Sequence, residues 1–296
     1  MQRHSEIRER RFTEENDGVF FNCWTERFDS MHSFLEICQS RTKQPDFSRD
    51  VFAGGSDHRY AKWQGCGTIK ETIELVTKGW EEPIGEINKT VREAQQIPAA
   101  KRMKIFNDVE GYAPIVPAAL VGHPLSMVNM KLKRTKVRVV DVYVDIGALC
   151  NVTADEMMRS AKVVLSELVG LEMQGYRARI NIVDFFTEAP VSTGVIIKIK
   201  DESQPFDLKR ITFPLIHPAM SRMLLFGWFE RFPHSAYVGP GYGRLLHNEY
   251  DKVEVRKIIG KCFGKHAIYL SGQQIGWKGD NYINELVEGF NKNQNR

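Results

Sequence analysis

Two aspartates, Asp145 and Asp184, have the residue type and setting most suited to chemistry in this chain. Asp145 closes a β-rich run, Val137-Arg138-Val139-Val140-Asp141-Val142-Tyr143-Val144-Asp145. Asp184 lies near the end of a second, Ile180-Asn181-Ile182-Val183-Asp184-Phe185-Phe186. If these runs are parallel neighbours, both carboxylates reach the carboxyl edge of a sheet, where open α/β folds place their ligands. Such a pair could hold Mg²⁺, with waters completing its shell, and serve a nuclease or phosphotransferase. The competing role is structural, with Asp145 capping a turn and Asp184 facing solvent. A second candidate is basic. Lys131, Lys133, Arg134, Lys136 and Arg138 follow one another with no acid between them, a run able to neutralise nucleic-acid phosphates. It also leads straight into the first strand, so a solvated strand entry accounts for it as well.

Other chemistry finds little support. Gly239, Gly241 and Gly243 suggest a phosphate loop, but Pro240 removes a donor and no Lys-Ser/Thr follows. The histidines show neither HxxxH nor HExxH spacing, which argues against a local histidine metal site. No GxSxG elbow occurs, and no Cys/His pair stands out as nucleophile and base.

The elements that must position the aspartates lie within residues 136–200. A strand over 137–145 leads through a loop to a helix over 154–174, followed by strands over 178–186 and 191–200. This is a β-α-β-β unit. Thr153 at the N-cap and Glu156 three residues on form a capping box. Met157, Ala161, Val164, Leu165, Leu168 and Leu171 make one apolar stripe, and Gly175 lets the chain leave the helix. The last strand should pair antiparallel at the sheet edge, with Lys198 and Lys200 guarding it. The fold class expected is α/β, an open and mostly parallel sheet with one antiparallel edge strand. It occupies residues 131–296, after a mainly helical and irregular N-terminal extension over 1–130.

Within that extension, short helices are expected over 31–40, from Thr68 to near Gly79, and over 83–95. Pro114, Pro117 and Pro124 make 111–125 a loop. Farther on, Asp207 caps a short helix, 267–270 is a buried-strand candidate and 281–291 a final helix. Over 219–231 the run Met223-Leu224-Leu225-Phe226-Gly227-Trp228-Phe229 leaves almost no polar face, so something must cover it. The aromatic-rich first 60 residues are the natural cover, and a partner chain is the alternative.

Composition bounds the rest. In 296 residues, 42% hydrophobic and 26% charged residues describe an ordinary globular chain, and a net charge of +4 does not by itself imply nucleic acid. Cys23, Cys38, Cys66, Cys150 and Cys262 are scattered and odd in number, without CxxC, so reduced thiols in a cytoplasmic setting are expected. No signal-peptide segment and no apolar run of about 18 residues is present, so no membrane role is expected.

Two resemblances extend this reading. The order strand, loop, capped helix, glycine, strand, antiparallel strand over 136–200 resembles the first half of a von Willebrand factor A domain. That family carries an Asp-x-Ser-x-Ser metal motif, matched here by Asp145-Ile146-Gly147-Ala148-Leu149: the aspartate is kept and both hydroxyl ligands are replaced. The resemblance implies a degenerate metal site and, as partner, a ring-shaped AAA ATPase. Separately, Trp63-Gln64-Gly65 leading to Thr68-Ile69-Lys70-Glu71, Val116-Pro117-Ala118-Ala119-Leu120 and His217-Pro218-Ala219-Met220 resemble an uncharacterised family of phage and mobile-element proteins. That likeness implies a phage-infected host cell. The function expected is therefore non-enzymatic binding of a protein partner, without a cofactor. The alternatives are the Mg²⁺-dependent enzyme and a nucleic-acid-binding or virion-associated protein.

Overall fold

The computed structural model describes residues 5–13, 21–53, 61–85, 103–132, 138–173, 175–188, 191–235, 252–264 and 267–271. Its strands are β1 (Ser5–Phe12), β2 (Phe21–Phe28), β3 (Met103–Asp108), β4 (Ala113–Pro114), β5 (Met127–Leu132), β6 (Arg138–Asp145), β7 (Tyr176–Glu188), β8 (Val191–Lys200) and β9 (Ile268–Ser271). Its α-helices are α1 (Met31–Ser40), α2 (Ala61–Gln64), α3 (Ile69–Lys78), α4 (Val116–Leu120), α5 (Ala154–Met173), α6 (Leu208–Ile216), α7 (Phe226–Phe229) and α8 (Lys252–Phe263). Six strands form one mostly parallel sheet in the order β1-β2-β8-β7-β6-β9, and β3-β5-β4 form a small antiparallel sheet.

The centre follows from local sequence. β6 and β7 are adjacent and parallel, with Val140 opposite Ala178 and Val144 opposite Ile182. Their connection, α5, starts with both capping bonds made. The Thr153 Oγ1 accepts from the Glu156 N–H at 3.2 Å, and the Glu156 carboxylate accepts from the Thr153 N–H at 2.8 Å. Gly175, at φ 94°, turns the chain into β7 with a backbone conformation that a side chain would strain. Val164, Leu165, Leu168 and Leu171 of α5 are buried with Val140, Val142, Val144, Ile180 and Ile182. Each such side chain contributes about 1.5–3 kcal/mol on burial. The opposite face holds a smaller cluster of Phe12, Cys23, Tyr143, Val183, Phe185 and Ile196 with Ile258, Ile259 and Cys262 of α8.

The N-terminal region departs from expectation. It contributes helices, but it also contributes two strands of the main sheet, with β2 parallel to β8 and β1 antiparallel to β2. β8 is therefore an interior strand, antiparallel to β7 on one side and parallel to β2 on the other. Lys200 guards no edge: it is 1% exposed, and its ammonium donates to Glu172 at 2.7 Å and to the Ala178 carbonyl at 3.1 Å. The edge is β1, where Arg8 pairs with Glu6 and Arg11 with Glu9. Charges on both faces of an edge strand block further pairing and also hide its alternation in the sequence.

The apolar run near residue 220 is covered from within the chain. It forms a π-helical turn, Met220–Leu225, continuing into α7, with only Phe226 partly exposed. Phe47 meets Phe229 edge-on at 5.5 Å, and the Val51 N–H donates to the buried Glu230 carboxylate at 2.9 Å. A Cβ on Gly227 would stand 2.3 Å from the Phe52 ring, so a side chain there would have to displace Phe52. Beneath, Glu26 is fully buried, accepting two bonds from Arg41 at 2.7 and 2.6 Å and one from the Trp228 indole at 2.8 Å.

Candidate functional site

β6 and β7 bring Asp145 and Asp184 to the same end of the sheet, but not to one another's side. Asp145 stands opposite Val183, so Asp184 lies on the next pleat and faces away from it. Asp145 faces the α8 side, where it accepts from the Tyr269 hydroxyl, while its Oδ1 accepts from the Gly147 N–H at 2.9 Å. The aspartate thus ties its own strand end, the following loop and β9 together. Asp184 faces the π-helical turn and accepts from the Ser221 hydroxyl at 3.0 Å. Its other oxygen is buried with no hydrogen-bond partner among the described residues. Burial, and then the negative charge of Asp145, hold the Asp184 carboxyl well above the usual carboxylate range; Ser221 offsets this only in part. Asp184 therefore holds its proton to higher pH than an ordinary carboxyl.

The loop after Asp145 is clamped. Arg222, one residue beyond Ser221, is 2% exposed and donates to the Trp63 and Val152 carbonyls, each at 2.6 Å. Its guanidinium lies 4.3 Å over the Trp63 ring, and the Trp63 indole donates to the Cys150 carbonyl at 2.9 Å. Burial lowers the Arg222 pKa to about 10, so it remains charged near neutral pH. A π-turn widens the helix locally, and such turns recur where side chains need unusual placement; here it accompanies consecutive side chains directed to Asp184 and to the loop. The cavity between α5, α6 and this loop is only about 50 Å³ and includes Asp145, Glu156, His217 and Ser221 in its walls. His217, stacked on Phe213 at 4.8 Å, is pushed down to about 4 by burial and is neutral near neutral pH. No group of three His, Cys, Asp or Glu residues suited to a metal occurs among the described residues.

Of the basic run, Lys131 belongs to β5 and Arg138 to β6, at the amino end of the latter. Lys133, Arg134 and Lys136 lie outside the described residues, as do the 239–243 glycines and the 281–291 segment. Where β2 and β8 end, a cleft of about 810 Å³ opens. Its charges neutralise one another: Lys198 lies 3.6 Å from Asp29 and 3.4 Å from Asp201, and Arg210 lies 3.4 Å from Asp207.

The remaining feature is an arm, residues 103–132, whose strands pair, among the described residues, only with one another. It is firmly built. The Tyr112 N–H donates to the Val128 carbonyl at 3.0 Å, and the Ile115 N–H to the Ser126 carbonyl at 2.7 Å. Pro117 occupies the first turn of α4, where no intrahelical N–H is needed. This ordered backbone nevertheless presents Val109, Tyr112, Val116, Leu120, Val121 and Leu125 to solvent, with Leu120 82% and Val121 81% exposed. Elsewhere among the described residues, exposed large apolar side chains are confined to Ile7 and Val139. The sequence showed this stretch as a Pro-interrupted loop. The available signal was its composition, since residues 109–125 contain five prolines and glycines among large apolar side chains and no lysine or arginine.

The molecule is thus a mixed α/β protein with a closed sheet end and an exposed apolar arm, and no helix among the described residues is long and apolar enough to cross a membrane. The chain belongs to the family described as Domain of unknown function (DUF7192), whose model matches residues 6–294. Neither a curated protein nor a solved structure matches it.

Proposed function

We propose that this chain is a non-enzymatic binding protein that engages a partner protein through the arm at residues 103–132. The carrying observation is the series of exposed large apolar side chains along residues 109–125 on a hydrogen-bonded backbone. An exposed contiguous apolar surface is characteristic of interaction sites, and a preformed one loses little conformational entropy on binding. The chemistry favours protein over nucleic acid, because residues 109–125 hold Glu110 as an acid and no cation to meet a phosphate. The Mg²⁺-dependent alternative is weaker: Asp145 and Asp184 face opposite sides of the sheet and serve internal contacts.

The wider reading is an adaptor within a phage programme. The β6-α5-β7-β8 arrangement supports an A-domain-like unit, with β2 and β1 added beyond the strand that the likeness would leave at the edge. An AAA ATPase is the partner class that this likeness favours, and a cytoplasmic location accords with free cysteines.

Affinity co-purification of the full chain from cells that naturally carry it tests this proposal. A stoichiometric protein should be recovered with the wild type and with Asp184→Asn, and lost with Leu120→Asp/Val121→Asp. Retention by the arm variant, or Mg²⁺-dependent cleavage of nucleic acid by the wild type that Asp184→Asn abolishes, would overturn it.

A further inference from the structure

The small sheet of the arm has two unlike edges. β4 on one side is two residues long and ends in Pro114, which lacks a donor. β3 on the other side has six residues and no proline, and among the described residues no strand pairs with its outer side. The sheet also has no core of its own, since no residue from 106 to 129 is buried. Short strands without a buried face are marginal in water.

The register fixes which backbone groups of β3 face outward. The Ile115 N–H donates to the Ser126 carbonyl and the Tyr112 N–H to the Val128 carbonyl, so Ser126 and Val128 turn their backbone groups to β4. Met127 and Asn129, which alternate with them, turn theirs to β3, where they stand opposite Asp108 and Phe106. Phe106 and Asp108 therefore bond inward to β5. Ile105 and Asn107 direct their N–H and C=O groups to the outer side.

We propose that a second copy of this chain pairs with that edge, the two β3 strands running antiparallel about a twofold axis at Phe106. In that register Ile105 stands opposite Asn107 of the second copy, and each such pair exchanges both main-chain bonds. It also sets Lys104 opposite Asp108 of the second copy, and Met103 opposite its Val109, which is otherwise 65% exposed. Within its own chain Lys104 stands opposite Lys131, a like-charge pair that the second copy's aspartate offsets. Moving the axis one residue, to Ile105 or Asn107, sets Lys104 or Asp108 against Phe106 and loses the charge match. The contact is self-complementary and closes as a dimer. Its product is one antiparallel sheet in the order β4-β5-β3-β3-β5-β4. This goes beyond the binding of a different protein by the arm, because it uses the backbone of β3 and not Leu120 or Val121.

Sedimentation equilibrium of the full chain tests it. The wild type should weigh twice the 34.0 kDa of one chain. Asn107→Pro removes an outward N–H that β5 does not use, so it should give a monomer with an unchanged circular dichroism spectrum. Lys104→Glu should weaken the dimer about tenfold at low salt, and Lys104→Glu/Asp108→Lys should restore it. Leu120→Asp/Val121→Asp should remain dimeric even where it loses a co-purified protein, which separates this proposal from the preceding one. A wild type that is monomeric throughout the concentration series would overturn the proposal. So would a dimer that survives Asn107→Pro, one that dissociates in Leu120→Asp/Val121→Asp, or a charge exchange that fails to restore association.

Discussion

The carboxyl end of β6 and β7 and the 103–132 arm are opposite kinds of surface. At the first, polar groups that looked available are bound inward: Asp145 by Gly147 and Tyr269, Asp184 by Ser221, and the intervening loop by Arg222. At the second, apolar groups that burial would favour remain in water on a hydrogen-bonded frame. A polar centre turned inward organises the fold, whereas exposed apolar surface calls for something outside the chain. The difference teaches that residue type alone does not mark a site; where the side chain faces, into the chain or into solvent, does.

The contrast sharpens when buried polar groups, at that end and elsewhere in the core, are broken. Glu26→Ala should have the largest effect, because it strands the Arg41 and Trp228 donors around a buried carboxylate site. Chemical denaturation should show a loss of about 3–5 kcal/mol. Arg222→Met should be next, losing its carbonyl bonds to Trp63 and Val152 at a cost of about 1.5–3 kcal/mol. Limited proteolysis should then cut the loop between β6 and α5 faster than in the wild type; unchanged stability and cleavage would show that Arg222 clamps nothing.

Asp184 gives a smaller effect with a defined sign. Its folded carboxyl holds its proton above the ordinary carboxylate range. The stability this contributes is full at low pH and declines as pH rises from the unfolded value through the folded one. Asp184→Asn should therefore gain on the wild type as pH rises from about 4 towards neutrality, by the proton linkage of a raised carboxyl. An advantage that instead grows on acidification would contradict the assignment. Added Mg²⁺ should leave the melting temperature of both proteins unchanged, whereas a tightly held ion would raise it by mass action.

The arm should answer least. Leu120→Asp/Val121→Asp changes side chains already in solvent, so stability should move by no more than about 0.5 kcal/mol. A large loss would mean that these side chains pack within the chain and that the contrast is false.

Much of the central unit was legible because its signals are local. Thr153 with Glu156, Gly175 and the α5 stripe specify their own helix, and Thr68 and Asp207 likewise cap α3 and α6. β1 was hidden because an edge strand with charges on both faces lacks alternation, and β2 because its partner β8 lies more than half the chain away in sequence. The two aspartates were found as residues, but their facing was not, since a single-residue offset in register moves a side chain to the other side of a sheet. The arm was legible as a Pro-rich loop; that its apolar residues stay uncovered depends on tertiary packing, which no local pattern encodes.

The most direct measurement is side-chain footprinting of the full chain, alone and in complex with its co-purified protein partner. Protection on binding is predicted at Tyr112, Leu120 and Val121, with none in the loop that carries Cys150. Protection confined to that loop, with the arm as reactive in the complex as in the free chain, would contradict the account.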